Sequence, residues 1–132
     1  MDREQAELFF PNTDNKSQLS TEEAATCEGQ LTEEECQEVL RTMKINKSPG
    51  NDGLPVKFYK TFWDDISALF IKAINTSYSR GKLSISQRRG LIKLIPKKDA
   101  ELYLIKNWRP LSLLNTDYKI ATKAIANRMN LV

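Results

Sequence analysis

Gly90-Leu91-Ile92-Lys93-Leu94-Ile95-Pro96 and, after a charged interval, Trp108-Arg109-Pro110-Leu111-Ser112-Leu113-Leu114 are the stretches on which the fold turns. The first is a short apolar run, interrupted by one lysine and closed by proline, which reads as a strand. The second has matching length and apolar character. Lys97 to Asn107 between them is charged and loop-like. The pattern therefore predicts one long β-hairpin.

Working downstream, Asn115 or Thr116 caps a last helix, with Tyr118, Ala121, Ile125 and Met129 on one side. Its run into the end of the chain suggests a truncated element. Upstream, Pro55 suits the first turn of a helical region. Its stripe comprises Phe58, Tyr59, Phe62, Trp63, Ile66, Leu69, Phe70, Ala73 and Ile74. This region should reach about Ser79 and stop at Gly81, with a break or kink near Asp64-Asp65.

Before it, Ser48-Pro49-Gly50-Asn51-Asp52-Gly53 must be a loop, because proline and two glycines oppose both regular structures. Earlier still, Thr32 and Glu35 form a capping-box pair, and Leu31 and Cys36 are spaced for a hydrophobic staple. Cys36, Val39, Leu40 and Met43 then share one helical face. The acidic first turn and the late Arg41 and Lys44 both suit the helix dipole. Residues 1 to about 30 are polar and acidic, with a turn at Pro11-Asn12-Thr13-Asp14, and are read as a partly disordered linker or arm. The expected fold class is α+β, mainly helical, with helices packed against one long β-hairpin over residues 31–132.

Composition narrows the chemistry. At 132 residues and 40% hydrophobic content the chain can build one modest core. No apolar run reaches the roughly 20 residues needed to span a bilayer, and the acidic start is not a secretory signal. An intracellular location, nuclear or cytoplasmic, is the default, with no membrane association. There is no histidine, and the two cysteines, Cys27 and Cys36, lack Cys-x-x-Cys spacing. Histidine-based nucleophilic catalysis is excluded. Both cysteines read as reduced and structural.

The formal charge of +3 hides a strong polarity. Met1 to Glu38 holds eleven acids against Arg3 and Lys16, whereas Arg80 to Arg109 holds nine bases against Asp99 and Glu101. The basic half builds a positive field that attracts phosphates. Within it, Lys93, Lys97, Lys98, Lys106 and Arg109 ride on the predicted hairpin. Arg109 is the sharpest of these, because a planar cation able to hold phosphate oxygens bidentately sits inside an apolar strand. The bland alternative is that it snorkels or pairs with an acid such as Asp117.

Read together, four blocks carry a resemblance. They are Lys47-Ser48-Pro49-Gly50-Asn51-Asp52-Gly53-Leu54-Pro55 with Phe58-Tyr59-Lys60; Leu94-Ile95-Pro96-Lys97-Lys98-Asp99; Asn107-Trp108-Arg109-Pro110-Leu111-Ser112-Leu113-Leu114-Asn115; and Asp117-Tyr118-Lys119-Ile120 with Ala126-Asn127-Arg128. In this order, over about residues 30 to 132, they resemble the polymerase domain of non-LTR (LINE-like) retrotransposon reverse transcriptases.

The resemblance implies a fingers fragment reaching the start of the palm. It implies that Lys97 and Arg109 approach the phosphates of an incoming dNTP, with Arg88, Arg89, Lys93 and Lys98 as nucleic-acid contacts. The Ser48-to-Gly53 loop would help hold the template or simply turn the chain into the next helix. The partners implied are a template-primer of RNA or DNA and a dNTP, in a complete polymerase, with no obligate protein partner.

Such polymerases place Mg2+ on palm aspartates, and two-metal phosphoryl transfer cannot proceed without those ligands. The chain stops at Val132 before they are due. The expectation is therefore no catalysis and no bound cofactor for this chain alone. Two alternatives stay open: a non-catalytic nucleic-acid-binding module derived from such an element, and a helical interaction domain whose charges serve solubility.

Overall fold

The structure, a computed structural model, describes residues 19–98 and 101–130. The Pro11–Asp14 turn, Asp99 and the last two residues lie outside them.

Among the described residues five helices and one hairpin follow in chain order: α1 (Thr21–Cys27), α2 (Glu33–Thr42), α3 (Val56–Thr61), α4 (Trp63–Ser79), β1 (Gly90–Pro96), a 3-10 turn (Ile105–Asn107), β2 (Trp108–Leu114) and α5 (Thr116–Met129). The fold is thus α+β and mainly helical, as the sequence pattern requires.

Helix α1 lies in the stretch read as an arm. Its signal was present, because Ser20 and Glu23 form a capping box: Glu23 N–H donates to Ser20 Oγ (3.2 Å) and Ser20 N–H to Glu23 Oε2 (2.7 Å). The same device starts α2, where Thr32 N–H donates to Glu35 Oε2 at 2.9 Å. Met43 caps the C-terminal end of α2 rather than lying within it.

The core gathers α2, α3, α4 and α5 around Leu31, Cys36, Val39, Leu40, Val56, Tyr59, Trp63, Phe70, Ile74, Ile120, Ala121 and Ala124. Two of the sequence expectations need correction here. The helical break falls at Phe62 (φ −110°, ψ 18°), and Asp64 and Asp65 instead occupy the first turn of α4, where carboxylates suit the dipole. On α4 the buried positions are Trp63, Ser67, Phe70 and Ile74, while Leu69 is 72% exposed.

On α5 the buried residues are Thr116, Ile120, Ala121 and Ala124. Of the side expected to be apolar, Ala121 is buried, whereas Ile125 and Met129 face solvent. Both helices are apolar on more than one side, so the position of α2 decides which stripe is covered.

Side-chain bonds across long sequence distances fix the body. The Asn75 amide accepts from Leu31 N–H and donates to Leu31 C=O, both at 2.9 Å, seating the start of α2 on α4. Arg128 on α5 pairs with Glu35 and also donates to the carbonyls of Glu28, Gly29 and Gln30.

Candidate nucleic-acid interface

The hairpin leaves the helical body at one root. Asn115, 1% exposed, sits at the joint where β2 passes into α5. Of the two caps expected, Asn115 or Thr116, it is Asn115 that holds the N-cap position, but its side chain makes no cap hydrogen bond. Its amide instead accepts from Asp52 N–H (3.4 Å) and donates to Ser86 C=O (3.2 Å) and Ser86 Oγ (3.0 Å).

The Ser48–Gly53 loop packs so tightly on this joint that a Cβ at Gly50 would stand 2.2 Å from Asn115 Oδ1 and 2.6 Å from the Leu114 carbonyl carbon. Next door, Thr116 Oγ1 donates to Leu54 C=O at 2.8 Å. Loop, turn, strand and helix therefore meet on one buried amide, which sets where the hairpin stands.

Beyond the root the strands pair antiparallel, with Gly90 opposite Leu114, Lys93 opposite Leu111, Ile95 opposite Arg109 and Pro96 opposite Trp108. Lys97 continues the ladder, donating its N–H to Asn107 C=O at 2.7 Å. Side chains alternate between the two faces of a strand pair, and directly opposed residues share a face. The register therefore assigns Leu91, Lys93, Ile95 and Lys97 to the same face as Arg109, Leu111 and Leu113. Ile92, Leu94 and Pro96 share the other with Trp108, Pro110 and Ser112.

Lys97 and Arg109 are diagonal neighbours, and Lys93 is the other diagonal neighbour of Arg109, with Ile95 between the lysines. From Lys93 to Lys97 is roughly 13 Å at the rise of an extended strand.

All three cations are exposed. Among the described residues Arg109 has no ion pair. Asp117, the acid that could have claimed it, accepts instead from Gln87 Nε2 at 3.0 Å. The Lys97 ammonium donates to Lys106 C=O at 2.7 Å, and among the described residues its other two N–H bonds have no partner.

The remaining candidates are scattered. Lys98 follows Lys97 at the outer end, while Arg88 and Arg89 stand exposed before β1, at the opposite end of the strand. The structure does not bring these two arginines to Lys97.

Other titratable groups bear on stability rather than on this face. Arg128 beside Glu35 holds that carboxylate below its ordinary value, the hydrogen bond outweighing the effect of burial. Burial, helped by the Glu35 charge, pushes the Cys36 thiol up to about 11. Cys27 and Cys36 are both free. Burial also raises the Tyr59 phenol, with Asp117 and Asp52 adding to it.

Among the described residues no group of three or more His, Cys, Asp or Glu could hold a metal ion. The Mg2+ implied for a complete polymerase thus finds no fitting donor set among the described residues. A cleft of about 460 Å3, lined by Leu31, Ile74, Tyr78, Leu83 and Ile125 among others, opens between α4 and α5. The one arginine at it, Arg128, is already engaged with Glu35. Among the described residues no helix is long and apolar enough to cross a membrane.

No protein-family model matches the chain. Over 102 residues it is 47% identical to the "Transposon TX1 uncharacterized 149 kDa protein" of Xenopus laevis, a match covering 77% of this chain and 8% of that relative. The chain thus spans less than a tenth of the length of the curated relative it matches. That identity makes it a homologue of a transposon protein and supports a retrotransposon-related origin.

Proposed function

We propose that the chain is a fingers fragment of a LINE-like reverse transcriptase, whose hairpin grips the phosphates of a nucleotide or template strand. By itself it performs no polymerisation. The observation carrying this reading is the shared face of Lys97 and Arg109, exposed and with Arg109 free of carboxylate partners among the described residues. An arginine fork and a lysine point charge one diagonal step apart converge on a polyanion in a way that scattered surface cations do not. Lys93 extends the cationic face along β1, and Lys98 adds charge at its outer end. The homology to a transposon protein supports the origin in a mobile element on which this reading builds.

In a complete polymerase the two gripping residues would neutralise charge on the incoming triphosphate, while the palm supplied the metal ligands and the chemistry. A non-catalytic nucleic-acid-binding module derived from such an element makes the same binding prediction. A helical interaction domain makes none.

The experiment is filter binding of a single-stranded oligonucleotide at low salt, with primer extension run in parallel. The expected result is affinity that falls steeply as salt rises, a larger loss for Arg109→Ala than for Lys106→Ala, and no primer extension. Equal losses for the two variants reduce the hairpin to diffuse electrostatics. Absence of binding at low salt leaves the interaction domain, and incorporation above background overturns the claim of inactivity.

A further inference from the structure

The outer end of the hairpin is apolar where a loop is expected to be polar. Leu102, Tyr103 and Ile105 are 57%, 79% and 84% exposed. They are also held in place. Asn107 Nδ2 donates to Glu101 C=O (2.9 Å), Asn107 N–H to Leu104 C=O (2.9 Å), and the Trp108 indole N–H to Leu102 C=O (2.8 Å). The Lys97 ammonium closes the brace on Lys106 C=O. A braced loop has already surrendered much of the freedom that a partner would otherwise have to freeze, so covering its apolar side chains gains more.

Between the braces lies a shallow hollow of about 220 Å3, lined by Leu94, Leu102, Tyr103, Ile105 and Trp108. Two aromatic rings and three aliphatic side chains offer a flat apolar ligand a surface to lie on. Leu94 and Trp108 set it on the ribbon face opposite Lys97 and Arg109, and Lys98 and Lys106 stand exposed at the same outer end. Glu101 adds one negative charge to this end, and its carboxylate beside the phenol raises the Tyr103 pKa.

A planar ring with a stackable face, carried on a polyanion, satisfies both halves of this surface, and an unpaired nucleobase is such a group. Resting on the phosphate grip proposed above, we infer that the hairpin tip stacks an unpaired base of the bound strand against Tyr103 and the neighbouring hollow. A backbone held on the cationic face would pass over the outer end of the ribbon to bring a base to the hollow, and the tip would distinguish single-stranded from paired nucleic acid.

The test compares the full chain's affinity for a short single-stranded oligonucleotide with that for an abasic strand of equal length and charge. The expected result is about a tenfold preference for the strand with bases. Tyr103→Phe should keep that preference. Tyr103→Ala should abolish it without altering the salt dependence, because the phosphate contacts remain. Tyr103 is too exposed for either variant to unsettle the fold.

Equal affinity for the two strands, or a preference that survives Tyr103→Ala, overturns the stacking site and leaves the phosphate grip standing. Failure of both strands to bind at low salt removes both. Anionic phospholipid vesicles bound more tightly than either strand, and released by Tyr103→Ala, would overturn it in favour of a membrane contact.

Discussion

At the residue scale, the same amino-acid type does different work according to what surrounds it. Cys36 is fully buried and its thiol is pushed up to about 11, whereas Cys27 is half-buried and borders the larger cleft. Only thiolate reacts quickly with a disulfide reagent. Labelling of the native protein with such a reagent should therefore modify Cys27 and spare Cys36 until the chain unfolds. Comparable rates at both would mean that the core around α2 opens readily.

Gly50 makes a parallel case. Its space is taken by Asn115 and Leu114, so Gly50→Ala must push apart the joint that carries the hairpin. The expected cost is about 2 kcal/mol or more, read as a lower urea midpoint at unchanged slope. An unchanged midpoint would show that the joint yields without strain.

The sequence marked Gly50 and Asn115 as a turn residue and a cap by local rules. It could not show that they touch, because Asn115 finds partners 63 and 29 residues away.

At the element scale, the strands were readable because a lysine-broken apolar run and a closing proline are local signals. The capped start of α2 was readable for the same reason. The buried stripes of α4 and α5 were not, since Leu69 and Ile125 fit a helical period as well as Ser67 and Ala124 do. Which stripe is covered depends on tertiary packing. The shared face of Lys97 and Arg109 needed the register, and register follows from how the two strands align across a loop of irregular shape.

Element contacts also create a pH response. Glu35 links the start of α2 to Arg128 on α5, and its folded pKa lies below the ordinary 4.5. The folded state thus holds fewer protons on this group than the unfolded chain does. Its contribution is complete above the unfolded pKa and is lost as pH falls from about 4.5 through the lower folded value. Urea unfolding should show that Glu35→Gln, which keeps the capping-box geometry, flattens this acid-side loss. An unchanged acid limb would mean that other carboxylates carry it.

At the scale of the whole molecule, the body and the hairpin are built on different terms. The helices share one core, whereas β1 is exposed along its whole length and has Leu91, Ile92, Leu94 and Ile95 at 48%, 67%, 50% and 40%. A lone two-stranded ribbon is marginal in water, so the root at Asn115 must supply much of its order. Amide hydrogen exchange should accordingly be slowest in α2, α4 and α5 and much faster in β1 and β2. Equal protection would show that something covers the hairpin in solution, a second copy of the chain being the first to check.

That exposure also suits a limb meant to reach a ligand, and the account rests on two side chains of that limb acting together. A double-mutant cycle on single-stranded oligonucleotide affinity, using Lys97→Ala, Arg109→Ala and the double variant at low salt, tests this directly. Two cations holding one phosphate group are coupled, so the account predicts that the double variant loses clearly less than the sum of the single losses, by about 0.5 kcal/mol or more. Losses that add within error would contradict it, since Lys97 and Arg109 would then meet the strand independently.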